Sequence, residues 1–590
     1  MRTLVICLAV LGAVVCVRLF SWEQIGIFPP IIVAAAACIA MIGPLARPLA
    51  ALLRRGDAFL KDHNTVTIVA VGAVALMFLA LRAARLHEQL FLRFHDEHAY
   101  WIQARMVAQG RLWHAAYPPD IAPFFDTFNL IVDRVYAPMY FPGTALALAP
   151  AVWLGIPYWT MPLLISAGCA IMIYLVTSEL FGGVRALIAV LLLLCLHQFA
   201  ALSTMAMSQP PLLLGELLLL WGSLRFIGSG RVGWAILIGA AAGYAAITRP
   251  LDAVCVALPV GVAMLVQLRQ RPRILLRTGS IIFVSAAPFL LLQIVQNIGI
   301  TGSWRQFPES YYNRENFPAS PIGFHAIDPA NIPHLTCPPK RQWLDDWIIP
   351  VFRAHQFSNL LWQWWPVRLR QTFGDTLPDP ALLILLAPAA LGLSDPRRRT
   401  IAAWFVLFLV GYALYAFYLD HYLVALMPAV ILLLMCGWEA IASAWPRQRA
   451  AIDVVLALSL PAIALGAMLD LNGYSAAPEQ AFIFQRTANY ALAHLPRSPA
   501  VVLFRFDPPL SYYHDEPVFN DDAAWPDDAP IVRARDMGPV EDRKLFRYYA
   551  QRQPDRVFFI YDPESIARVG NPLSRPLGTA RQLAPAEQRD

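Results

Sequence analysis

The residues best suited to chemistry cluster at His95-Asp96-Glu97-His98, with Tyr100 just beyond. Adjacent carboxyl groups suit a general base or a metal ligand. On a helix, Asp96 and Tyr100 would share a face, whereas Glu97 would point about 100° away. The same acidic pair at a helix start can also cap it and offset the macrodipole. His95 and His98 could add metal ligands, but neither an HxxxH nor an HExxH spacing is present.

A second group surrounds Arg249, which stands before Pro250-Leu251-Asp252 at a reversal between two apolar runs. The free N–H groups of a helix start, with an Arg beside them, favour an anion, and a lipid-linked phosphate is the natural anion at that depth. Alternatively, the Arg snorkels to headgroups or pairs with Asp252. The segment Met207-Ser208-Gln209-Pro210-Pro211, the segment Tyr140-Phe141-Pro142-Gly143, Asp420-His421-Tyr422 and the loop residues His325, Asp328 and His334 complete the polar positions. As a set, these acids, cation and aromatics are expected around one external cavity that takes an amphipathic anionic substrate. No Walker loop, GxGxxG after a strand, GxSxG elbow or zinc signature occurs, so ATP-driven transport and soluble-type hydrolysis lack support, and nothing indicates nucleic-acid binding.

The elements that position these residues are membrane helices. Of 590 residues, 58% are hydrophobic and only 15% charged, too little charge to cover soluble domains of this length. Seven of the eight cysteines lie in apolar runs and Cys337 in a polar loop, giving neither a disulfide framework nor a CxxC pattern. The net charge of +6 reads first as topology. Apolar runs at 4–20, 27–46 and 64–84 are followed by a polar stretch at 85–140, and Arg47, Arg54, Arg55 and Lys61 place the second connection in the cytoplasm. The first run lacks a small-residue cleavage site and reads as a retained helix.

Seven further runs lie between 142 and 298, and one of them must fail to cross if Arg185, Arg225, Arg231 and the Arg269–Arg277 cluster are to be cytoplasmic. The run 142–155, broken by proline, reads as interfacial or re-entrant. With four more runs between 380 and 470, thirteen spans result, with a cytoplasmic amino terminus and residues 471–590 outside. Trp362-Gln363-Trp364-Trp365 with Arg368 and Arg370 reads as an outer-interface segment. The tail, with Val501–Phe504 and Val557–Tyr561 as strands and a helical pattern at 541–552, reads as a small α/β domain. The expected divisions are 1–84, a catalytic loop at 85–140, a membrane core at 141–298, a second loop at 299–378, helices at 379–470 and the domain at 471–590.

This layout resembles the C-type glycosyltransferase superfamily, which includes protein O-mannosyltransferases and the lipid A aminoarabinose transferases. FHDEHAYWIQARMVAQGRLW at 94–113 is similar to their DE-x-x-Y loop; YFPGTALALAP at 140–150, MSQPPLLLGELLLLWGSLR at 207–225 and DHYLVALMPAV at 420–430 resemble later elements in order. The chain departs from the pattern at Gln209, where many relatives carry Asp, at His421, where Arg precedes the Tyr, and at Phe141-Pro142-Gly143, which lacks a Lys.

The resemblance implies an α-helical polytopic membrane protein that transfers a sugar from a polyprenyl-phosphate donor to a lipid, glycan or protein acceptor, by inverting displacement at the external face of a bacterial-type inner membrane. Carried over by position, Asp96 is the general base, Glu97 orients it or the donor, and Arg249 holds the phosphate. Tyr100, Tyr140, Gln209, Asp252, His421 and Tyr422 line the substrate site. No cofactor follows with certainty, and the resemblance leaves the need for a divalent metal open. The competing readings are a secondary transporter or flippase, whose charges would line a path, and a non-catalytic scaffold.

Overall fold

In the computed structural model the described residues are 2–20, 28–41, 43–86, 90–361, 365–470, 482–495, 498–507, 513–564 and 573–584. The chain divides into two compact units, the first comprising Met1–Leu90, Trp159–Leu291 and Phe357–Gly473, the second Phe91–Tyr158, Leu292–Gln356 and Tyr474–Asp590.

The first unit is helical. Its centre is the Met427–Ala444 helix, apolar all round until Glu439 and buried along nearly its whole length, as a helix with so little polar surface must be. The Gln209–Ser229 helix packs between Thr160–Phe181 and Val232–Ala246. One end of this bundle gathers charge. Arg185 bridges Glu439 (2.7 Å) and Asp453 (3.1 Å), Arg449 also reaches Glu439, Arg225 meets Glu179 at 3.1 Å, and Asp57 accepts the Val184 N–H at 2.8 Å. The connections that the basic residues mark as lying on one side thus converge. The Ser208–Gln209 start of the Gln209–Ser229 helix lies at the opposite end of that helix from Arg225.

Eight described helices are long and apolar enough to cross a bilayer, nine if the pair Pro366–Thr376 and Pro380–Ser394, bent by 103°, counts as one span. The fourteen apolar runs, thirteen of them expected to cross, thus outnumber the helices of that length and apolarity among the described residues. The run at 185–204 breaks where Leu196 adopts an extended backbone between Gly183–Cys195 and His197–Leu202, and the run at 233–249 yields the fifteen residues Val232–Ala246. The run at 27–46 yields Phe28–Met41, 14 residues, and the run at 400–419 becomes Pro396–Ala413, weighted with Arg397, Arg398 and Arg399 in its first turn. The run at 142–155 forms the 13-residue helix Pro142–Leu154, ended by Gly155 at φ 62°. It belongs to the second unit, as does the end of the Pro272–Thr301 helix, so the 141–298 stretch is divided between units.

Trp362, Gln363 and Trp364 lie outside the described residues. Arg368 is no interfacial anchor. It is buried and donates to the carbonyls of Tyr412, Tyr415 and Ala416, the last two at 3.0 Å, satisfying the end of the Pro396–Ala413 helix.

The second unit holds two sheets. In the smaller, β3 (Val135–Pro138) lies between β1 (His114–Ala115) and β2 (Leu130–Ile131), both antiparallel to it. The larger has the order β5-β4-β6-β7, with β4 (Ala500–Phe504), β5 (Ile531–Arg535) and β6 (Val557–Tyr561) parallel and β7 (Gly578–Thr579) antiparallel. The Asp542–Arg552 helix connects β5 to β6, the crossover that parallel strands require. Strand β4 is buried throughout, as its run of Val, Leu and Phe dictates.

Candidate functional site

The second unit contains the acidic cluster. The His95–Ala108 helix begins at His95, and Glu97, 1% exposed, turns back to accept the N–H groups of Arg93 (3.1 Å) and Phe94 (3.3 Å). Glu97 therefore closes the helix start, the structural role open to it from sequence. Asp96 is half-buried on the other side of that turn. Its Oδ1 accepts hydrogen bonds from the Tyr140 hydroxyl and from Asn129 Nδ2 (2.8 Å), while Oδ2 has no hydrogen-bond partner among the described residues. Tyr100, four residues on, stacks on Tyr140 at 4.2 Å, so the helical spacing seen in the sequence does align Asp96 and Tyr100 on one face. The Tyr140 carbonyl accepts from Gln103 (2.7 Å) and Gln296 (3.0 Å), anchoring the tyrosine from behind.

The two histidines turn toward the carboxy-terminal segment. His95 donates to the Tyr513 carbonyl at 2.8 Å and stacks on Phe128. His98 is buried, with Nδ1 2.6 Å from Asp521 Oδ2 and Nε2 accepting from Gln485 at 2.6 Å. Burial pushes the Asp521 carboxyl up, but the hydrogen bond from His98 and the charges of Arg533 and Arg105 outweigh it and hold the group below the usual carboxylate range. Among the described residues no three His, Cys, Asp or Glu side chains form a group that could hold a metal ion. His325 and Asp328 make local loop contacts, to the Ile322 carbonyl and the Ala330 N–H, and His334 is exposed.

The first unit contains the cationic cluster. Arg249 adopts an extended backbone before Pro250, as a residue preceding proline does, and Pro250 opens the next helix. Its guanidinium donates through Nε to Asp252 Oδ2 (2.7 Å), through Nη2 to the Tyr412 hydroxyl (2.9 Å) and through Nη1 to Ser208 (3.3 Å), and lies 4.5 Å from the centre of the Tyr422 ring. Tyr412 in turn reaches both Asp252 oxygens at 3.0 Å. Thus Arg249, Asp252 and Tyr422 meet as expected, joined by Ser208 and Tyr412. His421 packs edge-on to Tyr422 and lies 3.5 Å from Asp420, which also accepts from Gln198. Gln209 is fully buried with neither amide atom hydrogen-bonded among the described residues, and Glu216, two turns along, is in the same state. Buried polar groups of this kind inside a membrane helix mark a functional region by default. The residues expected around one cavity thus fall into two groups, one in each unit.

Residues 156–295 match the family described as dolichyl-phosphate-mannose-protein mannosyltransferase. The chain resembles the C-type glycosyltransferases. The C-type match takes in Gln209, Arg249 and Asp252, and leaves out Asp96, Glu97, Tyr100, Tyr140, His421 and Tyr422. No curated protein sequence matches the chain.

Among solved structures of C-type enzymes, ArnT from Cupriavidus metallidurans in the apo state is 16% identical, over 89% of this chain and 100% of its own, with a TM-score of 0.47. The same protein bound to undecaprenyl phosphate is 14% identical over the same shares, also at 0.47. An oligosaccharyltransferase from Archaeoglobus fulgidus, tethered with an acceptor peptide, is 10% identical over 82% of this chain and 65% of its own, at 0.48.

Proposed function

We propose that this chain is an integral membrane glycosyltransferase that moves a sugar from a polyprenyl-phosphate donor to a hydroxyl acceptor on a lipid, glycan or protein, at the extracytoplasmic face of the plasma membrane. The observation that carries the reading is the Asp96 carboxylate, with Oδ1 held by Tyr140 and Asn129 and Oδ2 without a hydrogen-bond partner among the described residues. In the reaction, Asp96 takes the proton of the acceptor hydroxyl as its oxygen bonds to the anomeric carbon. The bond from that carbon to the phosphate oxygen breaks with inversion, and polyprenyl phosphate leaves. Arg249 holds the donor phosphate and offsets the charge that develops on it. A phosphate is already a good leaving group, so the protein chiefly positions and neutralises.

Replacing Asp96 by Asn keeps an oxygen for Tyr140 and Asn129 and removes the base. Transfer from undecaprenyl-phosphate-linked sugars should fall by roughly 10²–10⁴-fold with protein abundance unchanged. Wild-type turnover in Asp96→Asn removes the base assignment. Movement of an intact lipid-linked sugar across vesicles, without transfer, would establish the transporter reading instead.

A further inference from the structure

We propose that Asn129 is a positioning residue for Asp96, fixing which carboxylate oxygen meets the acceptor hydroxyl; this rests on Asp96 being the general base. Asn129 is the one non-glycine residue with a positive φ, 62°, among the described residues. That left-handed backbone costs an L-residue free energy, less for Asn than for most, and glycine adopts it freely. Here it is pinned from both sides, the Asn129 N–H donating to the Tyr312 hydroxyl (3.0 Å) and its carbonyl accepting the Met139 N–H (2.9 Å). The result aims Nδ2 at Asp96 Oδ1, 2.8 Å away. Strained backbone that delivers a side chain to a candidate base points to a role at the site.

The chemical consequence lies in how the two donors are shared. Both Asn129 and the Tyr140 hydroxyl donate to Oδ1. Rotating the carboxylate breaks both bonds, so Oδ2 keeps one direction and is the oxygen presented to an incoming O–H. Tyr140 is itself held by Gln103 and Gln296, which leaves Asn129 as the donor reached through a single loop residue. A base held to this tolerance is what proton transfer requires.

The test measures kcat, KM for donor and thermal midpoint on the full-length chain, with the undecaprenyl-phosphate hexose or pentose that supports turnover, for Asn129→Gly, Asn129→Asp and Asp96→Asn. Asn129→Gly keeps the backbone and deletes the donor. Its kcat should fall roughly tenfold to thirtyfold with donor KM within about twofold and little change in midpoint. Asn129→Asp is similar in shape and also tolerates a positive φ, but turns an acceptor toward Oδ1, and its kcat should fall further. Should the glycine variant fail to fold, the aspartate variant alone decides.

Wild-type kcat in a folded Asn129 variant, with Asp96→Asn inactive, overturns this inference and leaves the base assignment standing. An active Asp96→Asn overturns both. A loss of rate that tracks the midpoint in every variant assigns Asn129 to folding alone and overturns the positioning role.

Discussion

Arg249 stands in two relations that a single substitution would confound, so its test needs a pair. Asp252 is 1% exposed, and its carboxylate is held by Arg249 Nε at 2.7 Å and by the Tyr412 hydroxyl at 3.0 Å. Arg249→Met fills much of the space of the Arg stem but leaves a buried carboxylate with one neutral donor. Breaking a buried pair in this way costs about 3–5 kcal/mol of stability. Combining it with Asp252→Asn removes the stranded charge and preserves an acceptor for Tyr412, so most of that stability should return. Phosphate binding should not return. A charge-assisted hydrogen bond to a phosphate contributes about 1.5–3 kcal/mol, so affinity should fall roughly 10- to 150-fold in both the single and the double variant. Detergent-solubilised protein titrated with undecaprenyl phosphate, read by tryptophan fluorescence, gives the affinity, and thermal unfolding of the same samples gives the stability. A double variant that regains both would refute the phosphate role and leave Arg249 as no more than the counterion of Asp252.

Three other outcomes are expected. Glu97→Ala should lower stability by roughly 1–2 kcal/mol through loss of its two backbone bonds, with Glu97→Gln milder and turnover per folded molecule retained; a stable Glu97→Gln without turnover would give Glu97 a chemical role. Burial pushes the Asp515 carboxyl from 3.8 up to about 7, against two backbone N–H bonds from Gln485 and Phe484 that pull it down. The folded state then holds this proton more tightly than the unfolded chain, so its stabilising contribution is full below pH 3.8 and is lost as pH rises through about 7, a loss on the order of 4 kcal/mol. Asp515→Asn should flatten the fall of thermal midpoint over that window, and an unchanged slope would assign it to other groups. Reporter fusions after residue 61 and after residue 475 should read cytoplasmic and external; the reverse pair would invert the topology.

How much was legible in the chain depended on distance along it. Asp96 with Tyr100, and Arg249 with Asp252, lie within one helical turn, where spacing alone decides what can share a face. Tyr140, His421 and Tyr422 stood out as polar positions at the ends of apolar runs, and the resemblance supplied their place in a substrate site. Asn129 and Tyr412 escaped notice because their relation to Asp96 or Arg249 is created by folding and their residue types are ordinary in loops and helices. Asn129 offered one weak signal, an Asn before a short apolar strand, which a left-handed turn also favours. Glu97 and the two histidines carried the opposite difficulty. They had suggestive chemistry in sequence, yet the structure commits Glu97 to a helix start and the histidines to Tyr513, Asp521 and Gln485.

The strand Ile531–Arg535 was hidden by its own arginines. Arg535 is buried beside Glu516 at 3.1 Å, a pairing that no local pattern reveals. The run at 185–204 is interrupted at Leu196, because hydropathy does not register a break in helical backbone.

The contacts of His95 and His98 also set an order of events during synthesis. Their partners lie 418, 423 and 387 residues further along the chain. At about 5–20 residues per second, the ribosome takes roughly 20–80 s to supply them after the Asp96 helix has been made. Throughout that interval the helix carrying the proposed base has left the ribosome without the groups that clasp two of its first four residues. The acidic loop is thus among the first polar segments to emerge and among the last to be finished. A ribosome stalled before residue 485 would leave the loop in place, with its histidines still waiting for the end of the chain.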